Sequence, residues 1–265
     1  MKRDEWYRLW FGEDYLALYP HRDRNEARQG VELLLSRVRL PSGSRVLDLA
    51  CGAGRHLDAF SARGVEGVGL DLSAHLLGRA RQASGDRLLV RSDMRRIPFR
   101  PETFHVVTSF FTSFGYFTRD EDNLQVLAEV RRVLRPGGTF LLDFLNAHRV
   151  VGALRPRDRQ VIQGREVIQE RRLLDGGRYV EKRIRIANDD PSEEDAEART
   201  FIERVRLYRP SELSALLEDA GFEVVERFGD YQGGRLGQDS PRVIHLARSP
   251  SVESSAPEYQ REPIP

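Results

Sequence analysis

From Val46 to Leu49 the chain is apolar except for Asp48, a pattern that suits a strand buried on both faces of a parallel sheet. Ala50-Cys51-Gly52-Ala53-Gly54 then breaks the run, and Gly54 to Arg63 reads as a helix. The alternation repeats along the chain. Val65 to Leu70 suits a second strand and Ala74 to Gln82 a second helix, while Leu88 to Arg91 and Phe104 to Ser109 suit a third and a fourth strand. Asp120 to Leu134 carries Leu124, Leu127, Val130, Val133 and Leu134 at helical spacing. It stops at Arg135-Pro136-Gly137-Gly138, and Thr139 to Leu145 follows as a fifth strand. A further helix, Pro210 to Ala220, leads to strands Phe222 to Phe228 and Arg242 to Ala247, which pair antiparallel at one edge. Strands alternating with helices predict an α/β fold with a doubly wound, mostly parallel seven-stranded sheet.

Between about Gln160 and Leu207 the period changes from that of a helix to two. RYVEKRIRIAN and FIERVRLY alternate branched or aromatic residues with charges, and VIQGREVIQERRL does so more loosely. This predicts a small antiparallel β insertion, with a hairpin turn at Asp175-Gly176-Gly177. The acidic NDDPSEEDAEA reads as a connection, and the segment from Ser249 onward, without core pattern, as a disordered tail. The organisation is thus an N-terminal helical lid (1–40), a cofactor-binding core (41–150), the insertion (151–207), the end of the core sheet (208–248) and the tail (249–265).

With 42 basic against 41 acidic groups, the net charge of +1 supplies no global field that would draw the chain to nucleic acid or anionic membrane. A single cysteine, Cys51, excludes an internal disulfide and a multi-cysteine zinc site, and no metal is implied by the histidines. The opening MKRDEWYRLW has no apolar leader core, and no apolar run approaches the ~20 residues that span a bilayer. The expectation is a soluble, cytoplasmic protein.

The chemistry concentrates in RVLDLACGAGRHLDAF, from Arg45 to Phe60. A helix that starts just after a strand leaves N–H groups free at the sheet edge, and glycine lets a ligand approach them closely. A dinucleotide fingerprint needs a third glycine where Leu57 stands, and Asp48 beneath the turn would repel a phosphate. A ligand that is cationic or zwitterionic on this side fits better.

VLDLACGAG resembles motif I of the class I S-adenosylmethionine-dependent methyltransferases, which have a Rossmann-like fold, and the later segments follow that family's order. The resemblance implies S-adenosyl-L-methionine as cofactor. It implies a site built from Asp48, Ala50, Gly52 and Gly54 at the turn. Asp71 and Leu72 would hold the ribose, Asp93 and Met94 the adenine, and Ser109 and Phe110 would close over the adenosine. Tyr15, in the N-terminal segment, would belong to a lid over the cofactor. The family usually has glycine where Ala50 stands, and alanine is tolerable there if its φ is negative.

No general base is identified, and the catalytic residues stay unknown. The run Phe110-Phe111-Thr112-Ser113-Phe114-Gly115-Tyr116 either frames a small acceptor or packs in the core. His148 and the other histidines read as structural or surface groups. The inserted sheet resembles that of methyltransferases acting on amino-sugars or glycine-like amines, where it covers the acceptor or joins two subunits as a homodimer. Its arginines (Arg165, Arg171, Arg172, Arg183, Arg185, Arg204, Arg206) read as a solvated face, or as a surface for an anionic acceptor or RNA. The reading is therefore methyl transfer to an N or O atom of a small-molecule acceptor. Its alternatives are an RNA or protein acceptor and a cofactor-binding interaction protein without turnover.

Overall fold

The computed structural model describes residues 5–19, 23–187 and 198–251. His21, Arg22, most of the acidic connection and the tail beyond residue 251 lie outside them. The core is one seven-stranded sheet formed by β1 (Arg45–Leu49), β2 (Glu66–Asp71), β3 (Leu89–Arg91), β4 (Phe104–Ser109), β5 (Leu134–Leu145), β10 (Glu223–Phe228) and β11 (Arg242–Arg248). Their order is β10-β11-β5-β4-β1-β2-β3, with β11 antiparallel to both β5 and β10 and the remaining pairs parallel. Around this sheet lie α3 (Arg24–Arg37), α4 (Arg55–Ser61), α5 (Ala74–Ser84), α6 (Asp120–Val133) and α8 (Pro210–Asp219). Strand order reverses between β1 and β4, so the carboxyl ends of these two neighbours open a crevice, the usual place for a ligand in such sheets.

Two boundaries differ from the sequence reading. Helix α6 runs directly into β5 at Leu134, and Pro136-Gly137-Gly138 is a bulge within the strand rather than a loop before it. Phe104 pairs with Leu134 but Val106 with Thr139, so the extra residues bow out. Ser249 holds the bulge: its N–H donates to the Gly138 carbonyl at 2.8 Å, and its carbonyl accepts from Gly137 at 3.0 Å.

The second difference lies in the insertion, which has four strands in the order β6-β7-β8-β9: β6 (Arg157–Ile162), β7 (Arg165–Leu174), β8 (Tyr179–Ile186) and β9 (Arg199–Arg206). The loosely alternating first stretch is two strands, because Gln163 (φ +50°) and Gly164 (φ +80°) make a two-residue turn. Two consecutive positive φ values match the twist of a tight hairpin. The Asp175-Gly176-Gly177 turn joins β7 to β8 as its sequence indicated.

Nor is the arginine-rich sheet simply solvated. Arg172 and Arg204 both clamp the buried Glu181. Arg206 is itself buried, with ion pairs to Asp120 at 3.6 Å and Glu212 at 3.7 Å and hydrogen bonds to the carbonyls of Arg178 and Leu207. That cluster fixes the insertion to α6 and α8. Against its other side lie two short helices, α1 (Tyr7–Trp10) and α2 (Glu13–Leu18). The Trp10 ring packs 4.8 Å from Phe201, and its indole N–H donates to Glu203 at 2.5 Å. Asp14 takes Arg165 at 3.2 Å and Arg199 at 2.8 Å. No helix among the described residues is long and apolar enough to cross a membrane.

Candidate active site

The crevice holds a cavity of about 290 Å³. Its floor is the turn after β1, where Ala50, Cys51, Gly52 and Ala53 line it. Both glycines flanking Ala53 take positive φ (+55° at Gly52, +82° at Gly54), and a Cβ on Gly54 would come within 3.2 Å of Ala80 on α5. Ala50 takes φ +59°, so the condition under which alanine costs nothing is not met. The chain must turn there: Cys51 N–H still donates to Leu70 at 3.0 Å, and the backbone leaves β1 one residue earlier in the left-handed region.

At the end of β2, Asp71 organises the next wall. One of its carboxylate oxygens accepts from Gly52 N–H at 2.8 Å and the other from Ser73 N–H at 2.7 Å. Burial raises its pKa, against these backbone hydrogen bonds. Ser73 caps α5, its hydroxyl accepting from Leu76 N–H at 3.1 Å. Each Asp71 oxygen keeps lone pairs for a ligand's hydroxyls. Leu72 lies beside it, and Asp93 and Met94 line the cavity past β3. The Asp93 carboxylate is also clamped by Arg95, at 2.7 Å, and the Arg95 guanidinium lies 4.3 Å over the Phe117 ring.

Of the residues singled out from the sequence, Tyr15, Ala50, Gly52, Asp71, Leu72, Asp93, Met94 and Phe110 line this cavity. Asp48, Gly54 and Ser109 do not; they sit behind its wall. Asp48 is sealed below the turn, 1% exposed, with one oxygen accepting from Thr108 Oγ1 at 3.0 Å and the other, Oδ2, without a hydrogen-bond partner. Burial pushes its carboxyl up to about 7. His56 Nδ1 lies 3.8 Å from that oxygen, but burial holds the imidazole neutral, well below its ordinary range, so no ion pair forms. His56 stacks instead on Phe110, with centroids 4.0 Å apart. Cys51 also lines the cavity, with burial raising its thiol pKa far above its usual value, which suits packing rather than nucleophilic attack.

The roof is aromatic and comes from the N-terminal segment: Tyr7, Phe11, Tyr15 and Tyr19, with Leu16. Tyr15 alone of these had been assigned to the site, because single aromatic residues on four-to-six-residue helices carry no periodicity. Phe111, in the run weighed as a frame for the acceptor, does line the cavity. His56 and Arg55 were missed because they face the site only once α4 is set.

That turn holds a strained pair, Phe111 (φ +58°) and Thr112 (φ +59°). Asp143 on β5, fully buried, secures it by accepting from Phe111 N–H at 2.8 Å, while its own carbonyl accepts from Thr112 at 3.1 Å. Tyr231 and Arg242 hold the Asp143 carboxylate from the other side, at 2.5 and 2.7 Å.

A second cavity, of about 500 Å³, lies between the core and the insertion and shares Phe11, Tyr15, Phe111 and Tyr116 with the first. Its remaining wall comes from α7 (Ala147–Gly152), which the sequence pattern had not shown, and from the inserted sheet. Asn146 caps α7, and its amide donates to the carbonyls of Gly237, Gln238 and Ser240, closing the loop before β11. His148 is exposed on α7 and lines neither cavity. Phe114 is core, 5.9 Å from the Tyr208 ring.

Residues 46–138 match the family model of a methyltransferase domain. The chain is 33% identical over 139 residues to a dTDP-3-amino-3,4,6-trideoxy-alpha-D-glucopyranose N,N-dimethyltransferase of Streptomyces venezuelae, covering 52% of this chain and 58% of that one. It is 28% identical over 217 residues to a dTDP-4-amino-2,3,4,6-tetradeoxy-D-glucose N,N-dimethyltransferase of Saccharopolyspora spinosa, covering 78% and 83%. At the higher identities the match spans about half the length of these curated relatives. Among solved structures, an S-adenosylmethionine-dependent methyltransferase from Clostridium acetobutylicum superposes with a TM-score of 0.76 at 17% identity, over 90% of this chain and 98% of that one. Streptomyces venezuelae DesVI superposes with a TM-score of 0.63 at 26% identity, over 89% and 97%.

Proposed function

Because the chain carries a class I S-adenosylmethionine-dependent methyltransferase domain, with the seven-stranded sheet of that family and an inserted antiparallel sheet, we propose that it methylates a nitrogen atom of a small molecule held in the second cavity. The observation that carries this reading is the shared wall: Phe11, Tyr15, Phe111 and Tyr116 line both cavities, so a ligand in one meets a ligand in the other.

The residues fit the cofactor on their own terms. Asp71 offers free lone pairs where ribose hydroxyls would bind, and Asp93 with Met94 would take the adenine. The unpartnered Asp48 oxygen lies under the turn, where it favours a positive charge on the methionine side. Bound S-adenosylmethionine supplies a methyl group on a sulfonium. The chain then has to align the acceptor and exclude water. The shared wall does both, and its rings favour a cationic nitrogen by cation–π attraction. Its titratable groups are the phenols of Tyr15 and Tyr116, which suits a neutral amine that sheds its proton after transfer better than a hydroxyl that needs a strong base during it. The N,N-dimethyltransferases among the relatives support nitrogen and an amino-sugar type of acceptor.

Calorimetric titration tests the first half. S-adenosylmethionine and S-adenosylhomocysteine are expected to bind the wild-type chain, NAD is not, and Asp71→Ala is expected to lose both. Release of S-adenosylhomocysteine in the presence of amino-sugar nucleotides and simple amines tests the second half. Cofactor binding without turnover on any amine, with turnover on alcohols or phenols, would reverse the choice of nitrogen.

A further inference from the structure

We infer that Tyr231 and Arg242, which line neither cavity, are positioning residues: through the Asp143 carboxylate they hold the Phe111 ring at the junction where cofactor and acceptor meet. This rests on the first cavity being the cofactor site. Phe111 and Thr112 are consecutive non-glycine residues with positive φ, a conformation that persists only where the surroundings over-determine it. Strain of this kind concentrates at working sites, and both residues face one. Phe111 lines both cavities and Thr112 lines the second.

The two strained N–H groups both go to Asp143, that of Phe111 to the carboxylate and that of Thr112 to the main-chain carbonyl. Asp143 is fully buried on β5, so its orientation depends on protein donors, and these come from outside both cavities. Arg242, at the start of β11, spans the carboxylate, with Nε on Oδ1 and Nη2 on Oδ2. Tyr231, in the loop between β10 and β11, donates its hydroxyl to Oδ2 as well. One oxygen therefore receives the Phe111 N–H, the Tyr231 hydroxyl and the Arg242 guanidinium together. Burial, with the Asp143 charge adding to it, pushes the Tyr231 phenol well above its ordinary range, so the hydroxyl stays a donor.

The ring is gripped as well as the backbone. The Arg242 guanidinium lies 4.8 Å from the Phe111 centroid and that of Arg55 5.0 Å from it. Tyr231 is fixed in turn by α3, where a Cβ on Gly30 would come within 3.2 Å of its ring and 2.9 Å of Phe110. A buried ion pair is a weak source of stability, but three donors on one oxygen leave Asp143, and with it the turn, a single place to sit.

The test is a double-mutant cycle on the full-length chain, reading affinity for S-adenosylhomocysteine by calorimetry in wild type, Tyr231→Phe, Phe111→Ala and the double variant. Tyr231→Phe removes one hydroxyl from Oδ2 and nothing from either cavity. It is expected to weaken binding about fivefold, and Phe111→Ala about tenfold. In the Phe111→Ala background, Tyr231→Phe is expected to change nothing further, because its influence passes through the ring. Arg242→Lys keeps the charge, loses the fork, and is expected to weaken binding at least as much as Tyr231→Phe. A hydroxyl with a structural role alone would lower the unfolding temperature and leave the affinity unchanged. The inference falls if Tyr231→Phe binds like wild type or if the two losses add; should Phe111→Ala not fold, Phe111→Leu replaces it in the cycle. In the ligand-free chain, Tyr231→Phe is expected to speed amide hydrogen exchange at Phe111 and Thr112 about tenfold. Unchanged exchange there overturns the inference whether or not a cofactor binds. Failure of wild type to bind S-adenosylhomocysteine, with exchange accelerated as expected, would instead remove the cofactor reading and leave the clamp on Phe111 standing.

Discussion

Ala50 occupies a backbone conformation that costs an alanine roughly 1–2 kcal/mol relative to glycine. Ala50→Gly relieves that strain and returns part of the gain as unfolded-chain entropy, so a net stabilisation of about 1 kcal/mol is expected from denaturant unfolding. Asp48 stores free energy differently. Its folded pKa, about 7, stands above the value near ~4 of an exposed carboxyl. Its contribution to stability is therefore fully present below about pH 4 and is lost as the pH rises toward 7. Asp48→Asn keeps an acceptor for Thr108 and removes the titration. The variant is expected to match wild type at pH 4 and to exceed it by on the order of 4 kcal/mol at pH 8, read from denaturation midpoints. His245 works in the opposite sense, because burial lowers it to about 4. Its stabilising effect is complete above pH ~6.5 and is lost as the pH falls through 4, so wild-type stability passes through compensating trends across this window.

At the scale of elements, Arg206 is where the insertion meets the core. Its guanidinium lies over the Tyr208 ring at 4.6 Å as well as between two carboxylates, and truncation leaves Asp120 and Glu212 facing each other's charge without it. Arg206→Ala is expected to cost about 3 kcal/mol or more, measured by urea unfolding, while Arg183→Ala on the exposed face of the same sheet costs under ~0.5 kcal/mol. Most core strands and helices were legible from their apolar runs and helical spacing, several of them stopped by glycine or proline; β3, only three residues long, showed as a weak signal. The turn after β1 was marked by its glycines, whereas Asp71 and Asp93 were named only through the resemblance; both line the cavity. The break at Gln163-Gly164 was not legible, since glutamine is a rare first residue for such a turn. Nor was α7, whose only marker is the Asn146 cap. The roof over the cofactor cavity was legible only in outline, because its aromatics make sense solely against β8 and β9.

For the molecule as a whole, Glu203 ties the roof to the inserted sheet by accepting from Trp10 at 2.5 Å and Tyr19 at 2.7 Å while pairing with Lys182. Glu203→Ala loosens the roof without touching the floor of the cavity. Stopped-flow measurement is expected to show faster release of S-adenosylhomocysteine, by about tenfold, with association little changed. The same tie has a consequence for synthesis. Trp10 and Glu203 stand 193 residues apart in sequence, so closing that contact waits until most of the chain has left the ribosome. The β1 turn and Asp71 are translated well before Glu203, so the strands that form the cavity floor are available before the contact that ties its roof to the inserted sheet.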